Sequence, residues 1–279
     1  MTRLHSGRIE YRLEAAGDST VLVLHGGHMR AGLAPGEETY LDRGYSVLVP
    51  SRPGYGRTPL SVGPSPSGFA DVLAELCREL GIDSVAAVVG ISAGGRTALA
   101  MASRCPRLVQ RLVLESSVGF GTYPDRRTRI AANIVFNART ERLTWGAVRA
   151  LLRLAPTTGL RLLLGDLSTK PAHEVVAALG DEERARMVEL FSRMRSGSGF
   201  LNDIDHTRAV APETVTQPTL VVASRTDGGV PFAHAESLTA GIPGAELFLS
   251  GADSHLGWFG DRTATANRIE RFLAADPRG

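Results

Sequence analysis

Residues Val85 to Arg104 read VAAVVGISAGGRTALAMASR, and this stretch decides the fold. Its first five residues form a continuous apolar run, the pattern of a strand covered on both faces. The residues from Ala93 to Arg104 have the composition of a helix. Between the two lies Gly90-Ile91-Ser92-Ala93-Gly94, a G-x-S-x-G turn of the kind that presents a serine at the top of a sheet. With 31 glycines in the chain, the bare pattern is expected by chance roughly 0.24 times, so its strand–turn–helix setting carries the weight. A nucleophile on so sharp a turn adopts strained backbone angles, and side chains two positions before and after it would meet neighbouring backbone. Both positions are glycine here, and Gly95 adds room. The turn also sets Ser92 near a helix N-terminus, where free N–H groups and the helix dipole favour developing negative charge.

Outward from this turn the same alternation repeats. Val21–Leu24, Tyr45–Val49, Leu112–Leu114, Thr219–Ala223 and Glu246–Leu249 read as further strands, with Arg8–Leu13 as an antiparallel partner at the start. Helical spacing marks Phe69–Leu80, Pro231–Ala240 and Asp261–Ala274. In the first, Phe69, Val72, Leu73, Leu76 and Leu80 share one face and Gly81 supplies the stop. Strands alternating with helices predict an α/β domain with a mostly parallel sheet. Between about Gly121 and Ala211 the alternation breaks and helical pattern dominates, around Thr128–Leu154, Thr158–Leu164 and Asp181–Arg195. Ser196-Gly197-Ser198-Gly199 reads as a flexible break. The expected organisation is an α/β core over residues 1–120 and 211–279, with a helical cap, or lid, inserted over 121–210.

Composition narrows the class. Hydrophobic residues are 43% and charged residues 22% of 279, near the average of soluble globular proteins. A net charge of +2 without blocks of like charge speaks against a nucleic-acid partner. The N-terminus lacks the apolar core of a secretory signal and no 18-residue apolar run occurs, so the expectation is a cytoplasmic protein with no membrane partner. Cys77 and Cys105 lack the paired spacing of zinc or redox motifs and read as buried thiols.

A serine nucleophile needs a general base, and the base needs a carboxylate to hold its tautomer. Of seven histidines, His5 precedes the first strand, His25 and His28 sit in the turn His25-Gly26-Gly27-His28, His173 and His206 fall in the cap, and His234 falls in a helix. His255 stands in the loop after the last strand, at the carboxyl edge of the sheet where α/β sites are built. By the same logic Asp227, just beyond Thr219–Ala223, is the expected acid. Glu115 is a rival, and Asp253 is too close in sequence to turn back on His255. The chain order Ser92, Asp227, His255 is that of the G-x-S-x-G hydrolases. The backbone N–H of Ala93 and that of Gly27, or of His28, are the expected donors of an oxyanion hole. His28, Phe120 and Trp145 are candidate substrate contacts, within a wider set holding Tyr123, Phe136, Phe191 and Phe200 that core packing also explains.

Four stretches now carry a resemblance along nearly the whole chain: Val21 to Gly27, Arg52 to Thr58, Gly90 to Gly95, and Asp227 to Pro231 with Ser254 to Leu256. The chain resembles the α/β-hydrolase superfamily. That likeness implies a mostly parallel eight-stranded sheet flanked by helices, a variable helical cap and a Ser-Asp-His triad. It implies an esterase-like serine hydrolase acting on a small-molecule substrate with no metal and no organic cofactor. Carbon-carbon bond hydrolysis, perhydrolysis, lyase chemistry and a non-catalytic ligand-binding receptor are alternatives on the same fold. Ser92 in the turn disfavours relatives that use an aspartate nucleophile. Ser51, where many relatives have Asp, and Asp253-Ser254, where many have glycine, are departures.

Overall fold

Each apolar run bounded by turn residues becomes a strand in the computed structural model, which describes residues 1–34, 36–206 and 210–275. In chain order the first half holds β1 (Thr2–Leu4), β2 (Gly7–Ile9), β3 (Tyr11–Glu14), β4 (Thr20–Leu24), α1 (Glu38–Leu41), β5 (Ser46–Pro50), α2 (Pro66–Glu79), β6 (Ala87–Ile91), α3 (Gly94–Arg104) and β7 (Leu112–Glu115). Six helices follow: α4 (Arg126–Val135), α5 (Glu141–Leu154), α6 (Pro156–Gly165), α7 (Ala172–Ala178), α8 (Asp181–Arg193) and α9 (Gly199–Asp205). The chain then returns to the sheet as β8 (Thr219–Ala223), α10 (Ala233–Gly241), β9 (Glu246–Leu249) and α11 (Thr263–Ala274).

The main sheet runs β3-β5-β4-β6-β7-β8-β9, parallel except for β3. Every residue of β4 to β8 is buried, which explains their unbroken apolar runs, because helices cover both faces. One face is filled by Leu22, Leu24, Val88, Leu112 and Leu114 with the inner sides of α2 and α3. The other is filled by Val21, Val23, Val89, Val113 and Leu220 with Ile269 and Phe272 of α11. On α2, Ser65 caps the first turn by accepting from Gly68 N at 3.0 Å, and Pro66 stands at a position that needs no donor. Its buried stripe of Phe69, Val72, Leu73 and Leu76 contributes about 1.5–3 kcal/mol per side chain relative to exposure.

The structure departs from the sequence expectations in several places. The main sheet has seven strands among the described residues rather than eight, because the first residues pair with themselves: β1 and β2 form a separate antiparallel ribbon. Glu10 divides the expected Arg8–Leu13 strand: its N–H donates to Thr58 Oγ1, and its carboxylate accepts from Ser51 Oγ and Arg57 N. The helical stretch Thr128–Leu154 is split at Asn137 and Thr140, whose side chains bond the last carbonyls of α4, Ile134 and Val135 included, and so end it. The expected break at Ser196–Gly199 is a bonded turn, exposed at Gly197 and Ser198 and anchored at its ends: Ser196 is 0% exposed and donates its N–H to Glu141 Oε1, and Gly199 is buried and already starts α9. Cys77 is buried and Cys105 part-buried, both free.

Four of the inserted helices, α5 to α8, share a hydrophobic cluster of their own, with Trp145, Leu152, Leu164, Val175, Met187 and Phe191. It closes against Met29, Leu33, Leu256 and Phe259 of the loops at the top of the sheet. Residues 207–209 of the expected cap range 121–210, and residues 35 and 276–279 of the expected core ranges, lie outside the described residues.

Candidate active site

The order of strands reverses at β4: β5 lies on one side of it and β6 on the other. Connections that part in opposite directions leave a crevice at the carboxyl ends of β4 and β6. Two of the motifs end there. Leu24 pairs with Gly90, so the glycine turn after β4 and the serine turn after β6 stand side by side, and a Cβ on Gly26 would lie 3.1 Å from Ser92 Cβ.

Ser92 has φ +53°, in the left-handed region that few non-glycine residues occupy. Its backbone is held on three sides, giving its N–H to Glu115 O and accepting from Gly95 N and Val118 N, each at 3.1 Å. The glycines have a concrete cause. A Cβ at Gly94 would overlap the Leu24 carbonyl, and one at Gly90 would lie 2.7 Å from the Cα of Gly95.

His255 Nε2 lies 2.9 Å from Ser92 Oγ, and His255 Nδ1 lies 2.9 and 3.0 Å from the two oxygens of Asp227. Asp227 is 4% exposed and His255 8%. One Asp227 oxygen also accepts from Val230 N at 2.8 Å. The rival carboxylates point elsewhere: Glu115 is held by Tyr40 and Arg262, and Asp253 by Lys170. Ser92, Asp227 and His255 are thus brought together.

In the glycine turn, His25 is structural. It is fully buried, its Nε2 accepts from Arg52 N at 3.1 Å, and burial, then the Arg52 charge, push its pKa well below the ordinary 6.5. The N–H groups of Gly27 and Ala93 find no acceptor among the described residues. His28 itself has φ +63° and stacks with Phe200, Phe136 and Trp145 at ring-centroid distances of 3.9, 4.7 and 5.3 Å.

Of the other candidate contacts, Trp145 joins His28, its indole N–H donating to the Ser196 hydroxyl that also meets His28 Nδ1. Phe120 does not. It packs against α10, where a Cβ on Gly241 would lie 2.9 Å from its ring, and belongs to the core beneath the sheet's edge. Phe191 lies in the core of the inserted helices, and Tyr123 donates to Gly229 O at 2.6 Å beside Asp227. Sequence reading missed Ser196, Asp203 and the segment Leu167–Lys170. Asp203 accepts from both Arg52 and Tyr55; the Arg52-Pro53-Gly54-Tyr55 motif signals that a carboxylate partner exists but not which one. No group of three His, Cys, Asp or Glu side chains among the described residues is placed to hold a metal ion, and no described helix is long and apolar enough to cross a membrane.

The comparisons agree with this architecture. The family described as alpha/beta hydrolase fold matches residues 19–260. An uncharacterised hydrolase of Bacillus subtilis (strain 168), YcgS, is 32% identical over 94% of this chain and 93% of its own length. A pimeloyl-[acyl-carrier protein] methyl ester esterase of Aromatoleum aromaticum is 31% identical over 81% of this chain and 87% of its own. Among solved structures, an alpha/beta hydrolase fold protein from Nakamurella multipartita superposes with a TM-score of 0.79 at 25% identity, covering 97% of this chain and 96% of that one. With a sheet switch at β4, a serine turn after β6 and these matches along its length, the chain belongs to the α/β hydrolase fold family.

Proposed function

We propose that the protein is a serine hydrolase that cleaves an ester-type carbonyl bond of a small organic substrate through an acyl-enzyme on Ser92. The observation that carries this reading is the unbroken hydrogen-bond chain from Ser92 Oγ through His255 to Asp227. A methyl ester esterase among the relatives supports the bond type.

In the first step His255 Nε2 takes the Ser92 proton as Oγ bonds to the carbonyl carbon. Asp227, accepting from Nδ1–H, holds the tautomer that leaves Nε2 free and stabilises the imidazolium. The Gly27 and Ala93 N–H groups receive the oxyanion, and each such donor is worth about 2.7–4 kcal/mol of barrier. The imidazolium then protonates the leaving oxygen as the carbon–oxygen bond breaks. Water repeats the sequence on the acyl-enzyme: His255 takes its proton, the acid departs and Ser92 regains its hydrogen. The cycle balances with water as its one co-substrate. His28 and Trp145, with Phe136 and Phe200, wall the substrate side of the glycine turn, and the inserted helices act as its cap.

The test is Ser92→Ala. Labelling by a fluorophosphonate and turnover of a short p-nitrophenyl ester should both vanish while circular dichroism stays that of the parent protein. Undiminished ester turnover by the variant sinks the assignment.

A further inference from the structure

Between α6 and α7 a short strap, Leu167 to Lys170, is bonded to both loops that carry Asp227 and His255. The Leu167 carbonyl accepts from His255 N at 2.7 Å and from Gly228 N at 3.2 Å. Thr169 N donates to Thr226 O at 2.9 Å, and Ser168 faces Asp227 in an antiparallel bridge. The Ser168 hydroxyl, in a residue 6% exposed, donates to the Asp253 carbonyl at 2.5 Å and accepts from Lys170 N at 3.0 Å. Outside it, Lys170 Nζ meets the Asp253 carboxylate at 2.5 Å. The approach is close: a Cβ on Gly228 would lie 2.8 Å from Ser168 N, and one on Gly229 would lie 2.7 Å from His255 Cγ.

The loops after β8 and β9 do cross-link directly, through the Ser224 and Thr226 hydroxyls on the Ala252 carbonyl. Those bonds stop three residues short of His255. At His255 and Gly228 themselves the backbone N–H groups rely on the strap, and a buried N–H without an acceptor is costly. A strap that comes from the inserted helices therefore fixes two groups that come from the sheet.

We infer that Leu167–Lys170 is a latch through which seating of the inserted helices sets the Asp227–His255–Ser92 geometry, with Ser168 as its positioning residue. The inference rests on the serine-hydrolase reading. Lifting the helices breaks the same bonds that hold His255, so an open arrangement is inactive and closure assembles the relay. Positioning errors near 1 Å suffice for large rate losses.

Ser168→Ala removes the bond to Asp253 O, and Ser168→Thr keeps a hydroxyl on a β-branched residue suited to the bridge. In Ser168→Ala, kcat for a p-nitrophenyl ester should fall roughly 10- to 100-fold with KM changed less than about twofold, and Ser168→Thr should recover most of the loss. The readout that general destabilisation does not move is the low-field proton resonance of His255 Nδ1–H. It should broaden or shift upfield in Ser168→Ala at temperatures where circular dichroism is unchanged. Parental kcat with an unchanged resonance overturns the latch, and so does a loss that Ser168→Thr fails to restore. Should Ser168→Ala not fold, amide exchange in the parent protein decides: His255 and Gly228 should exchange together with the amides of α6 and α7. Earlier exchange of His255 and Gly228 overturns the latch. Fluorophosphonate labelling of the parent separates the two claims, since an unlabelled protein with this exchange pattern and resonance loses the hydrolase reading and keeps the latch.

Discussion

Asp203, in the last inserted helix, holds the guanidinium of Arg52 in a two-pronged ion pair, 2.6 Å at Nη1–Oδ1 and 2.8 Å at Nη2–Oδ2. The Arg52 side chain is 3% exposed and that of Asp203 14%. Tyr55 donates to the same carboxylate at 2.6 Å, and Arg52 Nε reaches back to the His25 carbonyl at 2.7 Å. One carboxylate thus ties the inserted helices to the loop after β5 and, through His25, to the glycine turn. Breaking a buried pair costs more than replacing it, because the remaining charge is stranded. Asp203→Asn is therefore expected to destabilise by about 3–5 kcal/mol. The paired replacement Arg52→Met with Asp203→Leu should lose much less. Denaturant unfolding of the three proteins checks this, and an Asp203→Asn protein within about 1 kcal/mol of the parent refutes it.

Asp227→Asn tests the relay without disturbing the turn, since an amide oxygen still accepts from Val230 N, now at 2.8 Å from Oδ1. The amide cannot balance an imidazolium and permits the wrong tautomer of His255. Ester kcat should fall about 10³- to 10⁴-fold with little change in KM. A loss below tenfold would falsify the role given to Asp227.

Much of the fold was legible because parallel strands buried on both faces leave continuous apolar runs, as in Val85–Val89 and Thr219–Ala223. The loop positions of Ser92 and Asp227 were legible because each follows such a run, and that of His255 because it follows the last strand, the mostly exposed edge strand Glu246–Leu249. Boundaries moved where hydrogen bonding overrides composition. Gly90 and Ile91 read as turn but extend β6 through their pairing with Leu114 and Glu115. Phe120 was misplaced because an aromatic residue after a strand looks the same in sequence whether it faces a pocket or a helix such as α10. Ser196, Asp203 and Ser168 were invisible for another reason. Each is an ordinary polar residue whose meaning lies in a partner far along the chain: Trp145, Arg52 and Asp253.

The same substitution should have opposite effects at two glycines. At Gly94 a methyl group overlaps the Leu24 carbonyl, which is strand backbone and cannot yield. Gly94→Ala is expected to destabilise by about 3 kcal/mol and to lower fluorophosphonate labelling of Ser92. Gly165, at the end of α6, has open space around the added carbon. Gly165→Ala should be neutral or stabilise by up to about 1 kcal/mol, through higher helix propensity and a less flexible unfolded chain. Thermal unfolding of both variants gives the signs, and equal shifts would remove the steric explanation.

His28 supplies a pH test with a definite sign. Trp145 Nε1 can only donate, so the Ser196 oxygen accepts from it at 2.9 Å and turns its own hydrogen to His28 Nδ1, also at 2.9 Å. That arrangement requires a neutral ring protonated at Nε2. Burial lowers the His28 pKa from 6.5 to about 4, against a smaller upward pull from Asp203. Between those values the unfolded chain binds the proton and the folded one does not, so this contribution is full above about pH 6.5 and is lost as pH falls toward 4. His25 is depressed in the same direction, so the total slope belongs to both. The comparison with His28→Gln isolates one of them: parent and variant should differ most in Tm at about pH 7, and the gap should narrow steadily on acidification toward pH 4. A gap independent of pH would mean that His28 binds its proton equally in the folded and the unfolded chain, so that burial does not depress it.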